Sequence, residues 1–319
     1  MRKIVFLDGY SLGTCDLAPI EALGELVNYE FTRPEQVLER CRGAEVVISN
    51  KVPMTRETME QLPELKLIAV AATGMNNVDL DAARELGIEV RNAAGYSTHS
   101  VAEATFCYAL SLLRHTAYYD RYVKDGRYAA SERMFCFDRT VRQLHGANWG
   151  IIGMGTIGRE VARLAKSFGC TVAYTSISGV VREERYIQMA LDDLLEWCDV
   201  LSIHSPLNER TYNLIDMAEL RRMRRSAILI NVARGGIVNE AAVAEALNKG
   251  IIAGAALDVF SEEPLRESPL YALEDNDKLV VAPHTAWQST GALKRLVRCI
   301  AENIKTFYTV EEEEPTEEE

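Results

Sequence analysis

Short apolar runs rich in β-branched residues alternate along this chain with stretches that follow a helical period. The first such runs are residues 4–8, 45–49, 67–71 and 88–92. Helical stretches at 34–41 and 79–86 lie between them, and Gly87 closes the second. This alternation predicts α/β architecture with mostly parallel sheets. Ser100-Val-Ala-Glu103 reads as a capping box. It opens a long helix with apolar residues at Val101, Ala104, Phe106, Ala109, Leu110 and Leu113. A second unit begins near Leu144, with strand candidates at 149–152, 171–174, 200–203, 227–231, 254–258 and 279–281. Residues 290–308 form a further helix that this second unit does not need, so it is expected to return to the first.

The run Trp149-Gly-Ile-Ile-Gly-Met-Gly-Thr-Ile-Gly158 places a Gly-x-Gly-x-x-Gly loop between an apolar strand and an amphipathic helix. Gly153 permits the tight turn, Gly155 lets backbone approach a pyrophosphate, and Gly158 lets the helix pack closely. The helix start, Thr156 and Ile157, offers free N–H groups and a positive dipole end to phosphates. Gly169 is the expected helix stop. The loop predicts a dinucleotide cofactor, NAD or NADP. The expected fold is thus two doubly wound parallel-sheet domains. A Rossmann domain (99–285) is inserted into a smaller flavodoxin-like domain (1–98 and 286–319).

The net charge is −12, and seven of the acids sit in the tail 311–319; taking those seven away leaves −5. That balance argues against nucleic acid, which needs a basic surface. The tail is expected to be a solvated, disordered end. No apolar run approaches the roughly 20 residues needed to span a bilayer. The start, Met-Arg-Lys-Ile-Val-Phe-Leu-Asp8, reads as a first strand and not as a secretory leader. The seven cysteines are scattered, with no Cys-x-x-Cys pair. They read as reduced cytoplasmic thiols, with no metal site.

Three charged or titratable residues follow strand candidates of the second unit: Arg234, Glu263 and His284. Open α/β sheets bind ligands at the carboxyl ends of their strands, so the three are candidates for one cleft. Reducing a 2-oxo acid needs a hydride and a proton. Histidine can give that proton and take it back. A carboxylate beside it fixes the tautomer, and an arginine orients the substrate and polarises its carbonyl. Taken singly, each also suits a bland role: a surface ion pair, a solvated loop acid, a structural histidine.

Ile230-Asn-Val-Ala-Arg-Gly-Gly236, Ala256-Leu-Asp-Val-Phe-Ser-Glu-Glu-Pro264 and Ala282-Pro-His-Thr-Ala-Trp287 resemble signature segments of the D-isomer-specific 2-hydroxyacid dehydrogenases. The resemblance spans all but the acidic tail. It implies that Arg234, Glu263 and His284 are the catalytic set and that Asp258 binds the nicotinamide carboxamide. His204 and Pro206, in Ser-Ile-His-Ser-Pro-Leu207, resemble the segment beside the cofactor; His204 is either a contact or structural. Ala72-Thr-Gly-Met-Asn-Asn-Val-Asp79 resembles the loop that holds the substrate carboxylate through Thr73 and Gly74. It also reads as a plain strand-to-helix loop capped by Asn77 or Asp79. Ser49-Asn-Lys-Val-Pro53, residues 95–103 and Ala286-Trp287 resemble the glycerate dehydrogenases, or hydroxypyruvate reductases. Lys51 then meets a hydroxylated or anionic substrate end, or is a solvated lysine. The implied reaction reduces hydroxypyruvate or glyoxylate to D-glycerate or glycolate.

The chain departs from the NAD-specific pattern at one place. About 20 residues beyond the glycine loop such enzymes carry an acid for the ribose 2′-OH; here Thr175 stands there. Ser176 follows it, and Arg182 and Arg185 lie a little further on. Use of NADP, or of both cofactors, is open, and this rim of the site is expected to be partly exposed. Residues 100–143 hold a long helix followed by Tyr118, Tyr119, Tyr122, Tyr128, Phe135 and Phe137. That aromatic surface predicts a homodimer; the alternative is that it covers its own nucleotide domain. Two other readings share the fold: a dinucleotide-sensing corepressor and a phosphoglycerate-type dehydrogenase.

Overall fold

The computed structural model describes residues 1–180 and 185–313. The chain divides into two compact units, Met1–Ser97 with Gln288–Glu319, and Thr98–Trp287.

Among the described residues, the first unit contains a five-stranded sheet of order β2-β1-β3-β4-β5. Its strands are β1 (Lys3–Phe6), β2 (Glu25–Asn28), β3 (Val46–Ser49), β4 (Leu67–Val70) and β5 (Glu89–Asn92). All pairs are parallel, with Ile4 opposite both Leu26 and Val46. Strands β3 and β4 are buried along their whole length, which is why they read as continuous apolar runs. Strand β2 has no such signature: it is a half-exposed edge strand, Glu-Leu-Val-Asn. Asp79 caps the helix Leu80–Glu85, its Oδ1 accepting from Ala82 N–H at 2.9 Å.

The helix Thr290–Glu313 packs on this sheet. Arg91 Nη1 donates to the Asn303 carbonyl at 2.9 Å, and Asn303 Nδ2 donates to the Asn92 carbonyl at 3.0 Å. The helix runs past residue 308 and takes in Glu311, Glu312 and Glu313, so the start of the acidic tail is helical. The expectation of a disordered end is corrected there; residues 314–319 lie outside the described residues.

The second unit contains a seven-stranded parallel sheet of order β12-β11-β10-β9-β6-β7-β8 among the described residues. Its strands are β6 (Asn148–Ile152), β7 (Thr171–Thr175), β8 (Ile187–Gln188), β9 (Val200–Ile203), β10 (Ile228–Asn231), β11 (Gly254–Leu257) and β12 (Leu279–Val281). Strand β8, two exposed residues at the sheet edge, had no pattern to reveal it. Trp149 is fully buried and stacks on Phe106 with ring centroids 4.5 Å apart. The helix Thr98–Arg114 begins two residues before the expected cap. Ser100 lies inside it, and its hydroxyl donates to the Ala286 carbonyl at 2.7 Å. After His115, at φ 51°, the helix Thr116–Lys124 follows. No helix among the described residues is long and apolar enough to cross a membrane.

Candidate active site

The carboxyl ends of the second sheet carry the chemistry in spatial order. His284 follows β12, Glu263 follows β11, Arg234 follows β10, His204 follows β9, the glycine loop follows β6, and Thr175 ends β7.

His284 Nδ1 lies 2.8 Å from Glu263 Oε2, with both side chains about a quarter to a third exposed. The other carboxylate oxygen of Glu263 accepts from the Phe260 N–H at 3.1 Å. Glu263 therefore bridges its own loop and the ring, and the Nε2 of His284 has no partner among the described residues. His284 has φ 55°, the left-handed region that a branched or bulky residue seldom enters. Asp258 holds it there from two sides. The Asp258 carbonyl accepts the His284 N–H at 2.8 Å. The Asp258 carboxylate accepts from Thr285 N–H at 2.9 Å and Ala286 N–H at 3.0 Å. Two hydroxyls complete the set, Tyr108 at 2.8 Å and Thr285 at 3.3 Å. The Tyr108 and both Thr285 donors converge on Oδ1, Oδ2 accepts the Ala286 N–H, and Asp258 is 1% exposed. Enclosure beside this carboxylate pushes the Tyr108 hydroxyl pKa upward, so Tyr108 stays a donor.

Arg234 sits in a turn braced by Asn231. The Asn231 Oδ1 accepts from Ala233 N–H at 3.1 Å, and its Nδ2 donates to the Arg234 carbonyl at 2.9 Å. The Arg234 guanidinium donates to the Ala233 carbonyl at 2.7 Å. Among the described residues it has no carboxylate partner, so a half-buried cation is left for an anion. The next residue, Gly235, joins this turn to the Glu263 loop. A Cβ there would lie 1.7 Å from the Phe260 carbonyl oxygen, so the two backbones touch. Glu240 adds a second brace, its Oε1 accepting from Ser261 N–H at 2.7 Å. Asn231, Glu240 and Tyr108 escaped the sequence analysis; only a polar residue ending an apolar strand hints at the first.

The glycine loop fits a dinucleotide. Gly153 has φ 94°, and a Cβ there would meet Ser205 Oγ at 2.4 Å and the His204 carbonyl oxygen at 2.8 Å. At Gly158 a Cβ would lie 2.2 Å from the Gly153 carbonyl oxygen. At Gly155, by contrast, a Cβ would meet nothing within 4 Å. Two glycines are thus crowded by protein, and the middle one faces open space. The helix Thr156–Ser167 starts there, and its first intrahelical bond runs from Arg159 N–H to the Gly155 carbonyl at 3.0 Å. The N–H groups of Thr156, Ile157 and Gly158 precede it, the arrangement that receives phosphate.

His204 is neutral. Burial pushes its pKa down to about 3. Ser202 Oγ accepts from the Trp149 indole N–H at 2.9 Å and lies 3.0 Å from His204 Nε2. The His204 Nδ1 is buried without a partner among the described residues. Pro206, exposed on the same turn, accepts from Thr211 Oγ1 through its carbonyl at 2.8 Å. Thr175 is 5% exposed, and its carbonyl accepts the Gly153 N–H at 3.0 Å. The partly exposed rim expected there is corrected at this residue, because the strand end is covered. Ser176 and Ser178 hydroxyls lie 3.1 Å apart just beyond it. Arg182 lies outside the described residues.

In the first unit, Lys51 and Thr73 are exposed beyond β3 and β4, with Gly74 beside Thr73. Thr73 Oγ1 donates to the Ala93 carbonyl at 3.2 Å, and its own carbonyl accepts from Asn92 Nδ2 at 2.6 Å.

Comparison with known proteins accords with this geometry. The family model for the NAD-binding domain of D-isomer specific 2-hydroxyacid dehydrogenases matches residues 106–286. The chain belongs to that family, as an NAD(P)-linked oxidoreductase acting on CH–OH groups. A glycerate dehydrogenase of Methylorubrum extorquens is 38% identical over 96% of both chains. A hydroxypyruvate reductase of Blautia hydrogenotrophica is 34% identical, again over 96% of each. The crystal structure of the TT0316 protein from Thermus thermophilus superposes with a TM-score of 0.86 at 31% identity, covering 98% of each chain.

Proposed function

We propose that this protein reduces hydroxypyruvate to D-glycerate and glyoxylate to glycolate, reversibly. The observation that carries the reading is the His284–Glu263 pair at 2.8 Å, on a loop whose backbone touches the turn bearing a guanidinium with no carboxylate partner among the described residues. Bound NAD(P)H supplies the hydride. His284 gives a proton from Nε2 to the carbonyl oxygen, and Glu263 holds Nδ1 so that Nε2 is the nitrogen presented. Arg234 binds the carboxylate and carbonyl oxygens of the substrate. Thr73 and Gly74 serve the substrate carboxylate, and Lys51 serves its far end. Gly153 makes the tight turn of the cofactor loop, Gly155, Thr156, Ile157 and Gly158 receive the pyrophosphate, and Thr175, His204 and Pro206 lie along the nucleotide. Asp258 binds the nicotinamide carboxamide, and its carbonyl, which accepts the His284 N–H, helps keep that residue in its left-handed turn. In this reading the second unit is the dinucleotide domain and the first the substrate domain. All seven cysteines are free thiols, which suits a reducing cytoplasm.

Turnover of hydroxypyruvate, glyoxylate and pyruvate, each with NADH and NADPH, tests the reading. Hydroxypyruvate should give the highest kcat/KM. Absence of turnover with all three would favour a dinucleotide sensor instead. Both cofactors should be accepted, since no carboxylate at residue 175 repels a 2′-phosphate. Thr175→Asp should shift the preference towards NADH by adding an acceptor for the 2′-OH. The shift should change little with salt, because a covered charge is weakly screened. A parent enzyme that already rejects NADPH by several orders of magnitude would assign the choice to another residue.

The same chain should form a homodimer. Val123, Met134, Phe135 and Phe137 are 56%, 74%, 68% and 87% exposed. With Tyr119 and Tyr122 they line a concavity of about 300 Å³. Such an apolar patch marks an interaction surface. Light scattering should return twice the chain mass of 35.6 kDa; a monomer at micromolar concentration would refute the dimer.

A further inference from the structure

We infer that Asp8 is a positioning residue that sets Lys51 for recognition of a polar substituent on the third carbon of the substrate. The inference rests on the reading above that Lys51 meets substrate.

The strand order β2-β1-β3-β4-β5 reverses direction between β1 and β3. Doubly wound sheets take ligands in the crevice outside the carboxyl ends at such a point. In this chain the crevice receives a carboxylate of the chain itself. Asp8, two residues beyond β1, is 1% exposed. Its carboxylate accepts from Asn50 N–H at 2.9 and 3.2 Å and from Lys51 N–H at 2.7 Å. Burial pushes the Asp8 carboxyl pKa up, while the N–H groups of Asn50, Lys51 and Val52 oppose that rise. Consecutive N–H groups converging on one anion form a backbone nest. The nest fixes the Lys51 backbone and leaves its side chain exposed.

A second tie braces the same turn. Ser49 Oγ donates to the Val52 carbonyl at 2.8 Å, and Asn77 Nδ2 donates to that carbonyl at 3.2 Å. Met54 N–H returns a bond to the Asn77 carbonyl at 2.7 Å. Asn77 belongs to the loop that carries Thr73 and Gly74. The turn with Lys51 and the loop with Thr73 therefore form one braced platform. A lysine is a point charge on a flexible four-carbon stem. Where its charge can dwell is set by where its backbone is anchored. A neutral amide at residue 8 would turn an N–H towards donors that need an acceptor, and the anchor would loosen.

The test compares Asp8→Asn and Lys51→Met on hydroxypyruvate, which has a hydroxylated third carbon, and glyoxylate, which has none. Asp8→Asn should raise KM for hydroxypyruvate about tenfold, the worth of a hydrogen bond to a charged group. KM for glyoxylate and for NADH should stay near the parent values, and amide exchange at residues 50–52 should quicken. In a Lys51→Met background, Asp8→Asn should alter the substrate ratio no further. If Lys51→Met raises KM for hydroxypyruvate and Asp8→Asn does not, the role of Asp8 is overturned and the reading of Lys51 stands. If Lys51→Met leaves KM unchanged, that reading fails and this inference with it. Equal losses on both substrates would show Asp8 to be merely structural and overturn the proposal. Should Asp8→Asn not fold, Ser49→Ala releases the tie to the Val52 carbonyl on the Lys51 side and should move the same substrate ratio in the same direction; no movement there overturns the proposal.

Discussion

Replacing His284 with alanine should lower turnover of 2-oxo acids about 10²–10⁴-fold, the usual contribution of general acid–base catalysis. Dinucleotide affinity should persist, because the glycine loop and helix start are built from residues 153–158 and do not involve the ring. Steady-state kinetics paired with titration of cofactor fluorescence separates the two. Near-normal turnover in the variant would remove His284 from the mechanism. Glu263→Gln should also lower turnover while dinucleotide affinity persists, because the carboxylate that orients the ring through Nδ1, 2.8 Å away, is lost. Turnover equal to the parent's would separate Glu263 from proton transfer.

Arg234→Lys should lower kcat/KM for 2-oxo acids about 100-fold, the scale of hydrogen bonds between charged groups. A guanidinium presents two parallel donors to a carboxylate or to a carboxylate and its neighbouring carbonyl; an ammonium cannot reproduce that fork. The Asn231 brace holds the backbone on either side of residue 234, so the turn itself should survive the change. KM for NADH should move little. A comparable loss of nucleotide affinity would place Arg234 on the cofactor instead.

Much of this was legible in the sequence for a physical reason. Strands buried on both faces, such as β3, β4 and β10, must be apolar throughout, and such runs stand out. Strand β2 is half-exposed with polar ends and β8 is two exposed residues, so neither leaves a pattern. The glycine loop was readable because steric crowding at Gly153 and Gly158 demands that residue type. Arg234, Glu263 and His284 were readable as polar residues closely following strands. The residues that hold them were not. Tyr108 bonds a carboxylate 150 positions away, and Asp8 bonds backbone 42 positions away. Such pairings carry no local periodicity. Ser100 shows the converse error: the motif read as a cap lies inside the helix, and its hydroxyl bonds a carbonyl 186 residues distant.

The contact between Gly235 and the Phe260 carbonyl bears on how this protein can vary over generations. With no spare volume between the Arg234 turn and the Glu263 loop, a side chain gained at residue 235 would have to push one loop away from the other. The first would carry off the guanidinium, the second the carboxylate that faces His284. Neither stretch can therefore drift alone. Among descendants that keep the activity, changes around residue 235 should arrive together with compensating changes around residues 260 and 261. The two segments would be inherited as a pair although some 25 residues separate them along the chain.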